Sequence, residues 1–191
     1  VNGPLSQWAL YNQDNLVPNT AVNYVNAAWV QSLSEFDNSV ALSTSWYTPA
    51  GVSNDWMVSP AITLPAGTST LYWHARAYDA TFPDSYRVYI STTGNAPANF
   101  TTPALTVGNG TSTGESTTWQ NKSLDLSAFA GQTIYIAFQN FSNDRKEAIL
   151  FVEAIENLKT EDEFINFLKQ NKTKKMKINL SSNKTKNPNS I

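Results

Sequence analysis

The chain has 191 residues, no cysteine, one histidine and a formal net charge of −2, long enough for one sandwich-sized core or a domain of about 150 residues with an appendage. That near-neutral total conceals two regimes: residues 1–158 hold 5 Lys/Arg against 12 Asp/Glu, a net of −7, and residues 159–191 hold 8 against 3, a net of +5. The composition excludes disulfides, thiolate metal sites, a cysteine nucleophile and multi-histidine metal sites, and an acidic body without clustered Lys/Arg leaves no footprint for nucleic acid.

Short apolar runs, each ended by Pro, Gly, Asn or Asp, predict strands near residues 5–11, 27–33, 39–46 and 56–63. The run that follows alternates with period two, placing Leu71, Trp73, Ala75 and Ala77 on one face and Tyr72, His74, Arg76 and Tyr78 on the other. Next, Tyr86, Val88 and Ile90 point inward while Ser85, Arg87 and Tyr89 point outward. Between Thr92 and Thr118 the apolar residues are sparse and Gly94, Gly108, Gly110 and Gly114 recur, which reads as a long loop with room for one short edge strand. Strands near 117–124, at Ile134, Ile136 and Phe138 (opposing Tyr135, Ala137 and Gln139), and near 148–158 bring the number to about nine. The predicted fold is all-β, a jelly-roll-like antiparallel β-sandwich over residues 1–158.

After Leu158 the character changes. Thr160-Glu161-Asp162-Glu163 followed by Phe164, Ile165, Phe167 and Leu168 predicts a short amphipathic C-terminal helix over 159–171. Residues 172–191 form a basic Lys/Asn-rich tail with too little apolar area to offset its ordering entropy, and are expected to be flexible. No stretch approaches the roughly 18 apolar residues of a membrane span.

The outward set Tyr72, His74, Arg76, Tyr78, Arg87, Tyr89 and Tyr135 joins aromatic faces to nearby donors, which suits sugar rings or peptide side chains; cross-strand Tyr-Arg pairing for sheet stability accounts for the same residues. Trp46, Tyr47 and Phe82 at strand ends form a second candidate ligand-binding surface. Trp29, Trp56, Trp73 and Trp119 sit in or beside apolar patterns and are expected in the core. Asp79 and Asp84 flank Ala80-Thr81-Phe82-Pro83, a spacing open to two readings: an acid/base pair of a glycosidase, or a hairpin loop in which Asp side chains bond backbone amides.

Taken together, several segments resemble the cleaved-adhesin and choice-of-anchor J domains of secreted Bacteroidetes-type proteins, relatives of the gingipain adhesin modules. They are Tyr11-Asn12-Gln13-Asp14-Asn15-Leu16-Val17-Pro18, Asp55-Trp56-Met57-Val58-Ser59-Pro60, Tyr86-Arg87-Val88-Tyr89-Ile90-Ser91-Thr92-Thr93-Gly94, Trp119, Leu124-Asp125-Leu126-Ser127 and Ile136-Ala137-Phe138-Gln139-Asn140, in that order and spacing. The resemblance implies a secreted or cell-surface, non-catalytic module that binds glycan or extracellular protein, often beside other domains of a larger surface protein. It leaves open a structural spacer or stabilising accessory module of a secreted enzyme. It also implies a structural Ca²⁺, whose candidate ligands by motif position are Asp14, Glu115 and Glu153. Glu153-Ala154-Ile155 stands where the family usually has paired aspartates or Asp-Asn before an isoleucine.

Overall fold

The computed structural model describes residues 5–33, 39–143 and 149–155. The helix expected over 159–171 and the basic tail over 172–191 lie outside the described residues. Strands form at or near the predicted runs, except that Leu5–Gln7 of the first run make a 3₁₀ turn: β1 (Ala9–Asn12), β2 (Val30–Leu33), β3 (Ser39–Thr44), β4 (Asp55–Val58), β5 (Ile62–Thr63), β6 (Thr70–Ala77), β7 (Tyr86–Ser91), β8 (Pro103–Val107), β9 (Gln120–Asp125), β10 (Thr133–Asn140) and β11 (Ile149–Ile155). The single strand expected near 56–63 is split, because Pro60 has no N–H to give. Ser59 closes the gap: its N–H donates to the Ile136 carbonyl (2.8 Å) and its Oγ accepts from the Ile136 N–H (2.9 Å) before β5 rejoins β10. The short edge strand allowed in the long loop forms as β8, which starts on Pro103, a residue tolerated at an edge.

All pairings between these strands are antiparallel, in two sheets. Sheet one runs β1-β4-β10-β7-β8 with β5 on the end of β10, and sheet two runs β2-β3-β11-β6-β9. Inward residues of both meet in a core around Trp29, Met57, Trp73, Tyr86, Val88, Phe138, Leu150 and Val152. Trp73 meets Phe138 edge-on, ring centroids 5.8 Å apart. Truncating either ring to Ala costs about 3–5 kcal/mol in lost transfer energy and cavity formation.

The tryptophan in this core needs an acceptor for its N–H, and a polar relay supplies it. Trp73 Nε1 donates to Tyr86 Oη (3.0 Å) and Tyr86 Oη donates to Glu115 Oε2 (3.0 Å), which also pairs with Lys122 Nζ at 3.0 Å. Lys122 reaches this relay because it lies opposite Trp73 in the β6–β9 register and therefore points between the sheets.

Each sheet also buries part of its outer face, which corrects two expectations. Trp56 is buried, but on the outer face of sheet one against Tyr89 and Phe100. Trp119 is half-buried on the outer face of sheet two, against Val22, Val40, Leu42 and Ile149. Trp29 and Trp73 occupy the core as expected, at 1% and 0% exposure.

Candidate functional site

On β6 the outward positions are Tyr72, His74 and Arg76, and the chain just before β9 lays the Trp119 indole across two of them. The indole stacks on the His74 imidazole (centroids 4.8 Å apart, planes 25° apart), and the Arg76 guanidinium lies 5.3 Å from the Trp119 ring. His74 is consequently only 7% exposed. The solvated position that alternation predicts for it is roofed by tryptophan.

Trp46 packs on the same aliphatic patch as Trp119, so a residue read as a strand-end loop aromatic belongs to this face. Its backbone is held on both sides: Trp46 N–H donates to Thr44 Oγ1 (3.1 Å) and the Trp46 carbonyl accepts from Asn19 N–H (2.8 Å). Asn19 also accepts from Ala21 N–H (3.0 Å), starting a tight turn over Thr20–Val22 that brings Val22 down onto the patch. Two tyrosines rise beside it, Tyr24 at 56% and Tyr78 at 57% exposure. They are close enough that partial burial and the neighbouring Tyr78 together push the Tyr24 phenol pKa up. Tyr24 was not singled out in the sequence, since a lone Tyr between Asn23 and Val25 carries no periodic signal.

The remaining candidates separate from this face. Tyr72, His74, Arg76 and Tyr78 belong to sheet two, whereas Arg87, Tyr89 and Tyr135 stand on the outer face of sheet one. The outward set is therefore two sites on opposite sides of the sandwich. Tyr89 is 6% exposed, covered by Phe100. Tyr47 is 4% exposed and turned inward, with Oη 2.7 Å from both Asp55 Oδ2 and the Thr44 carbonyl. Phe82 is half-buried in the turn after β6.

The two carboxylates of that turn have separate roles. Asp79 Oδ1 accepts from the Thr81 and Phe82 N–H groups (2.6 and 3.2 Å), an Asp-led turn. Asp84 is fully buried and accepts from Ser45 Oγ at 2.6 Å. The metal candidates are also dispersed. Asp14 accepts from the Leu16 and Asn54 N–H groups; Glu115 is taken up by Tyr86, Lys122 and the Ser116 N–H; Glu153 pairs with His74 across β11 and β6, and its side chain lies outside the described residues. Ca²⁺ needs six to eight oxygens at about 2.3–2.6 Å. Among the described residues no three His, Cys, Asp or Glu side chains converge to provide such a set.

A two-sheet antiparallel sandwich with an aromatic patch on an outer face defines a class of β-sandwich module. Within that class the chain belongs to the Cleaved Adhesin Domain family, whose profile matches residues 20–156. Hemagglutinin A of Porphyromonas gingivalis is 34% identical over 116 residues, covering 52% of this chain and 5% of the relative. The chain thus spans about a twentieth of the length of that relative. The solved K3 cleaved adhesin domain of Lys-gingipain from P. gingivalis W83 superposes with a TM-score of 0.58 at 22% identity, covering 80% of this chain and 90% of that one. A solved chain described under the promiscuous specificity of carbohydrate-binding modules of the β-sandwich superfamily gives 0.53 at 14% identity, covering 82% and 59%. At these identities the superpositions show the fold alone.

Proposed function

We propose that this chain is a non-catalytic adhesion module of a larger secreted or cell-surface protein, and that it binds glycan through the outer face of sheet two. The observation that carries this is the Trp119 indole laid over His74 and Arg76, with Trp46 on the same patch and Tyr24 and Tyr78 exposed beside it. Aromatic planes supply the apolar contact a sugar ring needs, and tyrosine hydroxyls and the indole N–H supply polar contacts at its edge. The family membership and the sandwich fold shared with a carbohydrate-binding module support the same reading.

The burial of His74 and Tyr89 favours a second reading, a structural spacer whose outer aromatics serve its own stability. A glycan array and a panel of extracellular matrix proteins, probed with the wild type and with Trp119→Ala, separate the two. Glycan binding that the substitution lowers tenfold or more supports the adhesion face. Matrix-protein binding without glycan binding moves the ligand class to protein, and silence on both panels from folded protein supports the spacer.

A further inference from the structure

The geometry points to a carboxylate-binding subsite on the outer face of sheet one, on the opposite side of the sandwich from the aromatic patch, built for an acidic sugar and centred on Arg87. It starts from one row of the sheet, where the register sets Tyr11, Trp56, Gln139, Arg87 and Thr106 side by side across β1, β4, β10, β7 and β8. Through this row runs a hydrogen-bond relay whose direction is fixed at both ends by groups that only donate. Trp56 Nε1 donates to Asn54 Oδ1 (2.7 Å), so Asn54 must present its oxygen there. Gln139 Nε2 donates to the same oxygen (2.8 Å), which turns Gln139 Oε1 the other way to accept from Tyr89 Oη (2.9 Å) and Arg87 Nη1 (3.3 Å).

The consequence is chemical. Both amide oxygens of the relay already accept two hydrogen bonds, so what remains for a ligand is N–H: the rest of the Arg87 guanidinium fork and the Asn54 amide. The relay itself therefore favours a ligand acceptor over a donor, while the Tyr11 and Thr106 hydroxyls of the same row can bond with either.

Charge agrees. Of the three cations among the described residues, Lys122 is paired with Glu115 and Arg76 lies over Trp119, whereas Arg87 has no described carboxylate within ion-pairing distance. Arg87 is nonetheless held: its guanidinium sits 3.8 Å from the centre of the Phe141 ring, and Gln139 fixes one nitrogen. A planar, half-buried, pre-oriented guanidinium suits a carboxylate, which it can meet with two parallel hydrogen bonds.

The acidic body selects among anions. With a net charge of −7 over residues 1–158, a dense polyanion meets long-range repulsion, and one cation favours a ligand bearing one carboxylate. Along the same face, Val58 and Ala137 are fully buried, and the partly exposed apolar surface beside the row comes from the half-buried rings of Tyr11 and Tyr135 packed on that cluster. Aromatic ring surface on the same face as the cation suits the face of a sugar ring, so the ligand class is a uronic-acid-type saccharide.

The test is titration of the full chain, followed by NMR or calorimetry, with a glucuronate-terminated oligosaccharide, its glucose-terminated counterpart and an acidic peptide of equal charge. The acidic sugar is expected to bind at least tenfold tighter than the neutral one, and Arg87→Gln to abolish that preference while the chain still unfolds cooperatively, at a melting temperature lowered only by the lost Phe141 and Gln139 contacts. Arg87→Lys, which keeps the charge and loses the fork, should retain only part of it. Equal affinity for acidic and neutral sugars, an unaffected Arg87→Gln variant, or equal binding of the acidic peptide would overturn the assignment. Loss of the aromatic patch through Trp119→Ala should leave this preference in place, so failure of either face is read separately.

Discussion

Replacing Asp55 by Asn should stabilise the protein above neutral pH and leave it unchanged in acid. Asp55 is 3% exposed, and burial is the main cause that pushes its carboxyl pKa up to about 7 from 3.8; the nearby Asp14 charge adds to the shift, while hydrogen bonds from Tyr47 and Ser53 oppose it. Geometry points the same way. Tyr47 Oη lies 2.7 Å from both the Thr44 carbonyl and Asp55 Oδ2, yet it has one proton to give. An ionised Asp55 competes with the Thr44 carbonyl for that one tyrosine proton, whereas a protonated Asp55 can donate to Tyr47 and leave Tyr47 to donate to Thr44, so the neutral acid satisfies both contacts. The folded chain therefore holds one proton more than the unfolded chain between pH 3.8 and about 7. That stabilising contribution is complete below pH 3.8 and is lost as pH rises through 7, by up to about 4 kcal/mol at roughly 1.4 kcal/mol per unit. An Asn reproduces the neutral acid, with Nδ2 donating to Tyr47, and does not titrate. Urea unfolding followed by tryptophan fluorescence from pH 4 to 8 should give superposed stabilities at pH 4 and a variant more stable by about 2–4 kcal/mol at pH 8. A difference independent of pH, or a less stable variant at pH 8, refutes the protonated carboxyl. So does a pH-dependent difference that millimolar Ca²⁺ removes and chelator restores, because a cation would then be neutralising Asp55.

Other substitutions probe the scaffold. Glu115→Gln keeps an acceptor for Tyr86 but removes the charge facing Lys122 inside the sandwich, and should cost about 1–3 kcal/mol in urea unfolding; adding Lys122→Met should recover part of that loss. Trp73→Ala should cost about 3–5 kcal/mol, with a fall in melting temperature and no gain in any binding assay. A Cβ at Gly114 would stand 2.4 Å from the backbone oxygens of both Asp84 and Pro83, so Gly114→Ala should displace the loop and lower stability by about 1–3 kcal/mol in the same melts.

The side-chain parity of β6, β7 and β10 was legible from alternation, because period two is a local property of extended chain. Which strands share a sheet is not local. β6 pairs with β11 and β9, and β7 with β10 and β8, so residues that looked like one outward constellation separate onto two faces. Trp56 and Trp119 were misplaced for a related reason: an apolar residue in a strand pattern signals burial but not the side on which it is buried. Here Phe100, from the loop before β8, and Trp119, from the chain before β9, cover outer faces that alternation alone leaves to solvent. The Asn54–Gln139–Arg87 relay links residues as far apart in sequence as 54 and 139 and leaves no signal in any one segment.

The most direct measurement of the central claim follows the six indole N–H resonances while a glycan selected on the array is added to the labelled chain. Binding at the outer face of sheet two should move the Trp119 and Trp46 signals in a saturable way and leave those of core Trp29 and Trp73 in place, with the Trp119 response gone in Tyr24→Ala/Tyr78→Ala protein. Saturable binding with Trp119 and Trp46 unmoved would contradict the account.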